Sequence, residues 1–209
     1  MSSASTTSTR PSFGDLLRYR TVDIVTVTTL GVAFGVVFWG WGKLYEPISG
    51  LAVFSFPPSS ALLAGPWLIA GVVGGLIVRK PGAAVATELI AASVSALVPG
   101  GTQWGSSVVV SGLLQGLGAE LILAIFLYRR FGVVIAALAG ALAGVFEAFY
   151  EWKSYYADWH LDYKLAHLGF LSLSGLVVAG VGGFLLVRAL ARAGVLDAFG
   201  PGREQTSDV

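Results

Sequence analysis

The chain has 209 residues, 55% of them hydrophobic and only 12% charged, with a net charge of +1 and a mean hydropathy of +0.77. A soluble domain carries about 25% charged residues, so the composition is that of an integral membrane protein, and no nucleic-acid partner is expected. Cysteine is absent, which excludes disulfides, thiolate nucleophiles and Cys-ligated metals. The chain also lacks asparagine, which removes N-glycosylation.

Residues 1–20 are Ser/Thr-rich, precede any apolar run and lack a signal-peptide core, so they are expected to form a disordered cytoplasmic tail. Apolar runs follow at about 22–42, 61–79, 82–98, 107–128, 132–152 and 165–190. Each is near the ~17–25 residues needed to cross a bilayer, so the expected fold is an all-α bundle of six transmembrane helices over residues 21–192. The third run is the shortest and contains Glu88. Residues 193–209 are expected to form a cytoplasmic C-terminal tail, polar and loose from Asp197 to Val209.

Six passes put both termini on one side. That side would hold Arg10, Arg18, Arg20, Arg79, Lys80, Arg129, Arg130, Arg188, Arg192 and Arg203, against Lys43, Lys153 and Lys164 on the other. The positive-inside rule then places both termini in the cytoplasm of a multi-pass cell-membrane protein. With this topology all six tryptophans fall on the outer half, as do Tyr45, Tyr150, Tyr155, Tyr156 and Tyr163. An interfacial belt would populate both faces, so the excess predicts an outer cup that stacks a planar ligand. Glu46, Glu151, Asp158 and Asp162 lie on the same side, and aromatics with carboxylates suit a planar cation.

Polar groups inside a membrane are costly and are read as functional. In the fifth run Gly140, Gly144, Glu147 and Glu151 recur at i, i+4, i+7 and i+11, so they share one face, with Tyr150 beside it. The glycines admit a close neighbouring helix. Ser111 and Gln115 share a face of the fourth run, while Glu120 lies about 140° away from Gln115. Glu88 and Glu120 read as structural. His167 and Ser174 share a stripe of the sixth run, and Gln103 and Trp104 are placed to fold over the mouth. Gly31 and Gly35 form a small-xxx-small pair on the first run that would suit docking of another membrane protein. Two histidines without close carboxylates make a poor metal site, so no metal is expected.

There is no phosphate-binding G-x-x-x-x-G-K-[ST], no H-E-x-x-H, no G-x-S-x-G and no inverted repeat. An outer cup without an engine either signals or works with an engine supplied in trans. No enzyme activity and no cofactor are expected. A small membrane enzyme using Glu147 or His167 as a base, and a sensory subunit, are the alternatives of another class.

The stretches Phe38-Trp39-Gly40-Trp41 running into Leu44-Tyr45, Pro99 to Gly105, Gln115 to Glu120 and Phe149-Tyr150-Glu151-Trp152 resemble the substrate-binding S-components of energy-coupling factor (ECF) transporters, in their YkoE-like branch. That resemblance covers about residues 21–192. It implies capture of thiamine or its hydroxymethylpyrimidine precursor from outside, with a transmembrane T-component and two ATPase subunits as partners. It gives Gly31 and Gly35 a role in contacting the T-component. It also implies ring stacking and carboxylate or amide hydrogen bonds, for which Trp41, Trp104, Gln115, Glu147, Tyr150, Glu151, Trp159 and His167 are the available groups. Another small molecule or a transition-metal ion is the alternative substrate.

Overall fold

The apolar runs become helices α1 (Thr21–Ser49), α2 (Ile69–Val78), α3 (Ala83–Leu97), α4 (Ser107–Ile125), α5 (Val133–Ser154) and α6 (Leu161–Arg192), with a short α7 (Gly200–Ser207) at the C-terminal end. This computed structural model describes residue 14 and residues 17–207, so most of the expected tail at 1–20 lies outside the described residues. Among the described residues there is no strand. α1, α4, α5 and α6 are each long and apolar enough to cross a membrane, and the bent pair Pro57–Leu63 and Gly65–Val78 makes a fifth candidate span. α3, at 15 residues, is the shorter apolar helix.

The burial pattern is that of a protein whose solvent is lipid. Ile24, Val25, Val36 and Val37 of α1 and Leu121, Leu173 and Leu185 of later helices point outward. Thr87, Glu88, Ser111, Gln115, Glu147, His167 and Ser174 are buried inside. α2 is the central post: every residue from Ala70 to Val78 is buried, and α1, α3, α4 and α6 pack around it.

Gly31 and Gly35, read from the sequence as a docking pair, lie against a helix of this chain. Both are buried, and a Cβ on them would lie 2.6 Å from Ile90 and 2.5 Å from Val94 of α3. The close approach they permit is therefore internal.

The second pass was expected to run unbroken over 61–79, but it bends by 49°. Pro57 and Pro58 begin one 3-10 stretch and Pro66 begins the next. Proline lacks an N–H, and its ring obstructs a continuous α-helix. Within a membrane the backbone groups freed by a break must find protein partners. Ser174 of α6 supplies them: its hydroxyl accepts from the Gly65 N–H at 2.8 Å and donates to the Leu62 carbonyl at 2.6 Å. Position 65 must be glycine, because a Cβ there would sit 2.7 Å from the Ser174 carbonyl oxygen.

α5 and α6 pack backbone to backbone. A Cβ on Gly140 would lie 2.2 Å from the Gly175 carbonyl oxygen, and one on Gly144 would lie 2.7 Å from that of Leu171. This matches the stripe read from the spacing in the fifth run, with α6 as the neighbour. α6 is wound as a π-helix over Gly175–Gly182, where Gly180 sits against Ala137. π-turns are rare and concentrate at functional sites.

Opposite the tryptophans lies a basic end. Asp23 is fully buried and accepts from the Arg20 guanidinium at 2.7 Å and from Lys80 Nζ at 2.5 Å. Glu120 is a helix cap: its carboxylate accepts the N–H groups of Gly82, Ala84 and Val85 at 2.7, 2.9 and 3.3 Å, and the Tyr128 hydroxyl at 2.6 Å. These are the orphan donors at the start of α3, and an acid is the favoured group at a helix N-terminus. The Tyr19 hydroxyl donates to the Pro81 carbonyl at 3.0 Å; burial, then the charges of Glu120 and Asp23, push its pKa up to about 12.

Part of the segment after Arg192 packs against the bundle. Leu196 and Phe199 are buried, and the Arg20 guanidinium lies 5.6 Å from the Phe199 ring centroid. Arg79, in a left-handed conformation at the end of α2, donates from both terminal nitrogens to the Glu204 carboxylate of α7, Nη2 to Oε2 at 2.8 Å. That hydrogen-bonded guanidinium holds the Glu204 carboxyl below the usual carboxylate range.

Two outcomes test this packing. Gly140→Leu should abolish or severely reduce folded protein, by about 3 kcal/mol or more, since the atom it strikes is backbone. Glu120→Ala should lower the unfolding midpoint in detergent by the equivalent of about 2 kcal/mol, because it strands the N–H donors of α3. Both are read from thermal unfolding of the purified protein.

Candidate functional site

At the end opposite the arginines, the bent second pass, the top of α1 and the upper turns of α4, α5 and α6 enclose a cavity of about 840 Å3, counting its open mouth. The bend makes room for it: Ser60, Ala61, Ala64, Trp67 and Leu68 of the broken pass all line the space above α2.

One wall is aromatic. Tyr45 from α1, Trp67 after Pro66, and Trp104 from the loop before α4 form a three-ring box. Trp67 and Trp104 meet edge to face, with centroids 5.0 Å apart and an 85° interplanar angle; Tyr45 stands 5.2 Å from Trp67 and 5.6 Å from Trp104. Such tilted arrangements are the favoured ones for ring pairs. They also leave ring faces available to a ligand.

A second wall is a polar ladder running down α4 to α5. Gln115 Nε2 donates to Ser111 Oγ at 2.7 Å, and Ser111 Oγ donates to Glu147 Oε1 at 2.6 Å. All three residues are buried and line the cavity. Glu147 Oε2 has no protein partner. A buried polar atom left unpaired costs about 1–3 kcal/mol, so this oxygen is a ready acceptor for a ligand donor.

The third wall is a histidine–carboxylate contact at the mouth. His167 Nε2 lies 2.9 Å from Glu151 Oε2, and His167 Nδ1 is buried without a partner. Tyr156 sits edge-on to His167 at 5.2 Å and is backed by Trp159, stacked at 4.0 Å and 17°. Burial, then the Glu151 charge, raises the Tyr156 pKa above its ordinary value, so the hydroxyl remains a neutral donor and acceptor at physiological pH.

Of the residues singled out from the sequence, Trp104, Gln115, Glu147, Glu151 and His167 line the cavity together. Trp41, Tyr150 and Trp159 stand one layer behind. Trp41 Nε1 donates to the Leu63 carbonyl at 2.9 Å and so braces the bent pass. The Tyr150 hydroxyl donates to the Ser107 carbonyl at 3.2 Å, and Trp159 supports Tyr156. Gln103, placed in a lid with Trp104, is exposed. Tyr45, Trp67, Tyr155 and Tyr156 were grouped as outer aromatics but not assigned to the site. The available signal was Gly65-Pro66 inside an apolar run, a broken-helix sign that marks binding sites in many transporters. Among the described residues, no three His, Cys, Asp or Glu side chains gather as a metal-holding set.

Residues 22–146 match the family described as the permease component of an ABC-type cobalt transport system. Over 188 residues the chain is 30% identical to the putative HMP/thiamine permease protein YkoE of Bacillus subtilis (strain 168), covering 89% of this chain and 92% of that protein. A crystal structure described as an S-component of an ECF transporter shares the fold with a TM-score of 0.84 and 30% identity, covering 91% of this chain and 95% of the other. These relatives are transporter components rather than enzymes, and the several apolar helices agree in making this a multi-pass membrane protein. The shared fold and near-full-length similarity establish that this chain belongs to the YkoE-type permeases, the substrate-binding S-components of ECF transporters.

Proposed function

We propose that the cavity captures thiamine or its hydroxymethylpyrimidine precursor from outside the cell. The observation that carries this reading is one cavity holding both a three-ring aromatic box and two carboxylates, Glu147 and Glu151. A thiazolium or aminopyrimidine ring is planar; the first is cationic and the second bears an amino donor. The box offers stacking and cation–π attraction. Glu147 Oε2 offers an unpaired acceptor to an amino group, and Glu151 a counter-charge at the mouth. The name of the Bacillus relative supports the same substrate class.

In this reading residues 21–192 are the substrate-binding domain. They make six passes, with α3 as the third and both termini in the cytoplasm. A T-component and two ATPase subunits power release to the inside, and residues 193–209 lie on their side of the membrane. The lopsided Lys/Arg distribution supports the orientation. The cobalt description of the matched family raises a metal ion as substrate; against it, His167 and Glu151 pair without a third His, Asp or Glu gathered beside them as a metal-holding set among the described residues.

Calorimetric titration of the purified protein with thiamine, hydroxymethylpyrimidine and Co2+ tests the reading. One of the organic ligands should bind with a Kd near 1 μM or tighter, about −8 kcal/mol. Glu151→Gln and Trp104→Ala should each weaken it by about tenfold or more, equivalent to ~1.4 kcal/mol. Unaltered affinity in both variants would displace the ligand from this cavity. Binding of Co2+ with neither organic ligand competing at ~100 μM would replace the substrate class, a range far weaker than capture requires.

A further inference from the structure

A second cavity lies at the basic end, of about 650 Å3 counting its opening, between the C-terminal ends of α2 and α6, the turn before α5, and α7. Its polar lining is Arg79, Arg188, Glu204 and Gln205, and its apolar lining includes Leu76, Phe131, Phe184 and Val187. The Arg79 guanidinium lies 4.3 Å from the Phe131 ring centroid, and the Arg188 guanidinium 5.9 Å from that of Phe184. Two arginines laid over aromatic rings therefore border one recess. Arg188 is exposed, and no carboxylate lies within ion-pairing distance of it among the described residues.

The level of the recess in the membrane decides what can reach it. It sits where α2 and α6 finish their apolar stretches, and the end of an apolar span is where hydrocarbon gives way to headgroups. A soluble anion would find only one accessible arginine, because Glu204 already takes both terminal nitrogens of Arg79. An amphiphile gains twice, from its charge on Arg188 and from chain contact with Phe184, Val187 and the outward Leu185. Glu204 meanwhile shows that the recess accommodates a planar, two-oxygen anion against Arg79, the geometry that a guanidinium also offers to phosphate.

We infer that this recess is a binding site for an anionic phospholipid, its phosphate held by Arg188 and, when Glu204 yields, by Arg79, with an acyl chain along Phe184 and Val187. The site is separate from the substrate cavity and does not depend on which substrate that cavity takes. α7 acts on it as an intramolecular competitor, so removing the Glu204 charge strengthens lipid binding.

The test is native mass spectrometry of the full chain released from mixed micelles holding equal phosphatidylglycerol and phosphatidylcholine, paired with thermal unfolding in each lipid. Phosphatidylglycerol should be retained over phosphatidylcholine and should raise the unfolding midpoint. Arg188→Gln, on an exposed position that spares the fold, should cut the retained fraction about fivefold, the scale of one surface arginine. Glu204→Gln should increase it. Equal retention of the two lipids would overturn the inference, as would phosphatidylglycerol retention that Arg188→Gln leaves unchanged. So would a stabilisation that sn-glycerol 3-phosphate, which has no chains, reproduces in full, since that would identify a soluble-anion site.

Discussion

A polypeptide that breaks its helix inside a bilayer leaves backbone donors and acceptors where water cannot serve them, and each stranded group costs several kcal/mol. The broken second pass survives because the Ser174 hydroxyl takes the Gly65 N–H and gives to the Leu62 carbonyl, two groups on either side of the bend. Trp41 reinforces the same place by donating to the Leu63 carbonyl. The bend turns the chain away from the axis of α2, and the cavity occupies the volume so released. Trp67, the central ring of the aromatic box, is held there by its own indole N–H on the Phe38 carbonyl at 3.1 Å.

α5 and α6 set the other side of the cavity by a different means. Their contact at Gly140, Gly144, Gly175 and Gly180 has no side chains between the backbones. Nothing in that seam can adjust by choosing another rotamer. The height and rotation of Glu147 and Glu151 relative to His167 are therefore fixed by main-chain contact. Both carboxylates of the cavity stand on the helix that this seam positions.

Helix existence and the polarity of the two ends were legible in the sequence, because both rest on runs of residues. The stripe Gly140, Gly144, Glu147, Glu151 was legible for the same reason: a helical period brings its members to one face whatever lies opposite. What lay opposite was not readable. Gly31 and Gly35 carry the same local signature as a docking pair, and only the position of Ile90 and Val94 shows that α3 fills that face. Trp41, Tyr150 and Trp159 belong to the aromatic end by position, yet a layer of other rings separates them from the cavity. Span counting alone could not distinguish a straight second pass from a bent one, since Ser174, which stabilises the bend, lies 109 positions from Gly65. The packed C-terminal segment escaped notice because Leu196 and Phe199 are too few to form an apolar run.

The brevity of α3 has a consequence for how the cup is walled. At ~1.5 Å per residue, 15 residues span about 22 Å, less than the ~30 Å of a bilayer core. Glu120 caps its start, and beyond its other end the chain turns at Pro99 and passes through Trp104 into α4. On that side the wall of the cup is completed by the loop between Leu97 and Ser107 rather than by helix. Trp104, which lines the cavity, is therefore carried by loop and not by helix, so that the wall of the cup at this point is set by the turns between Pro99 and Ser106.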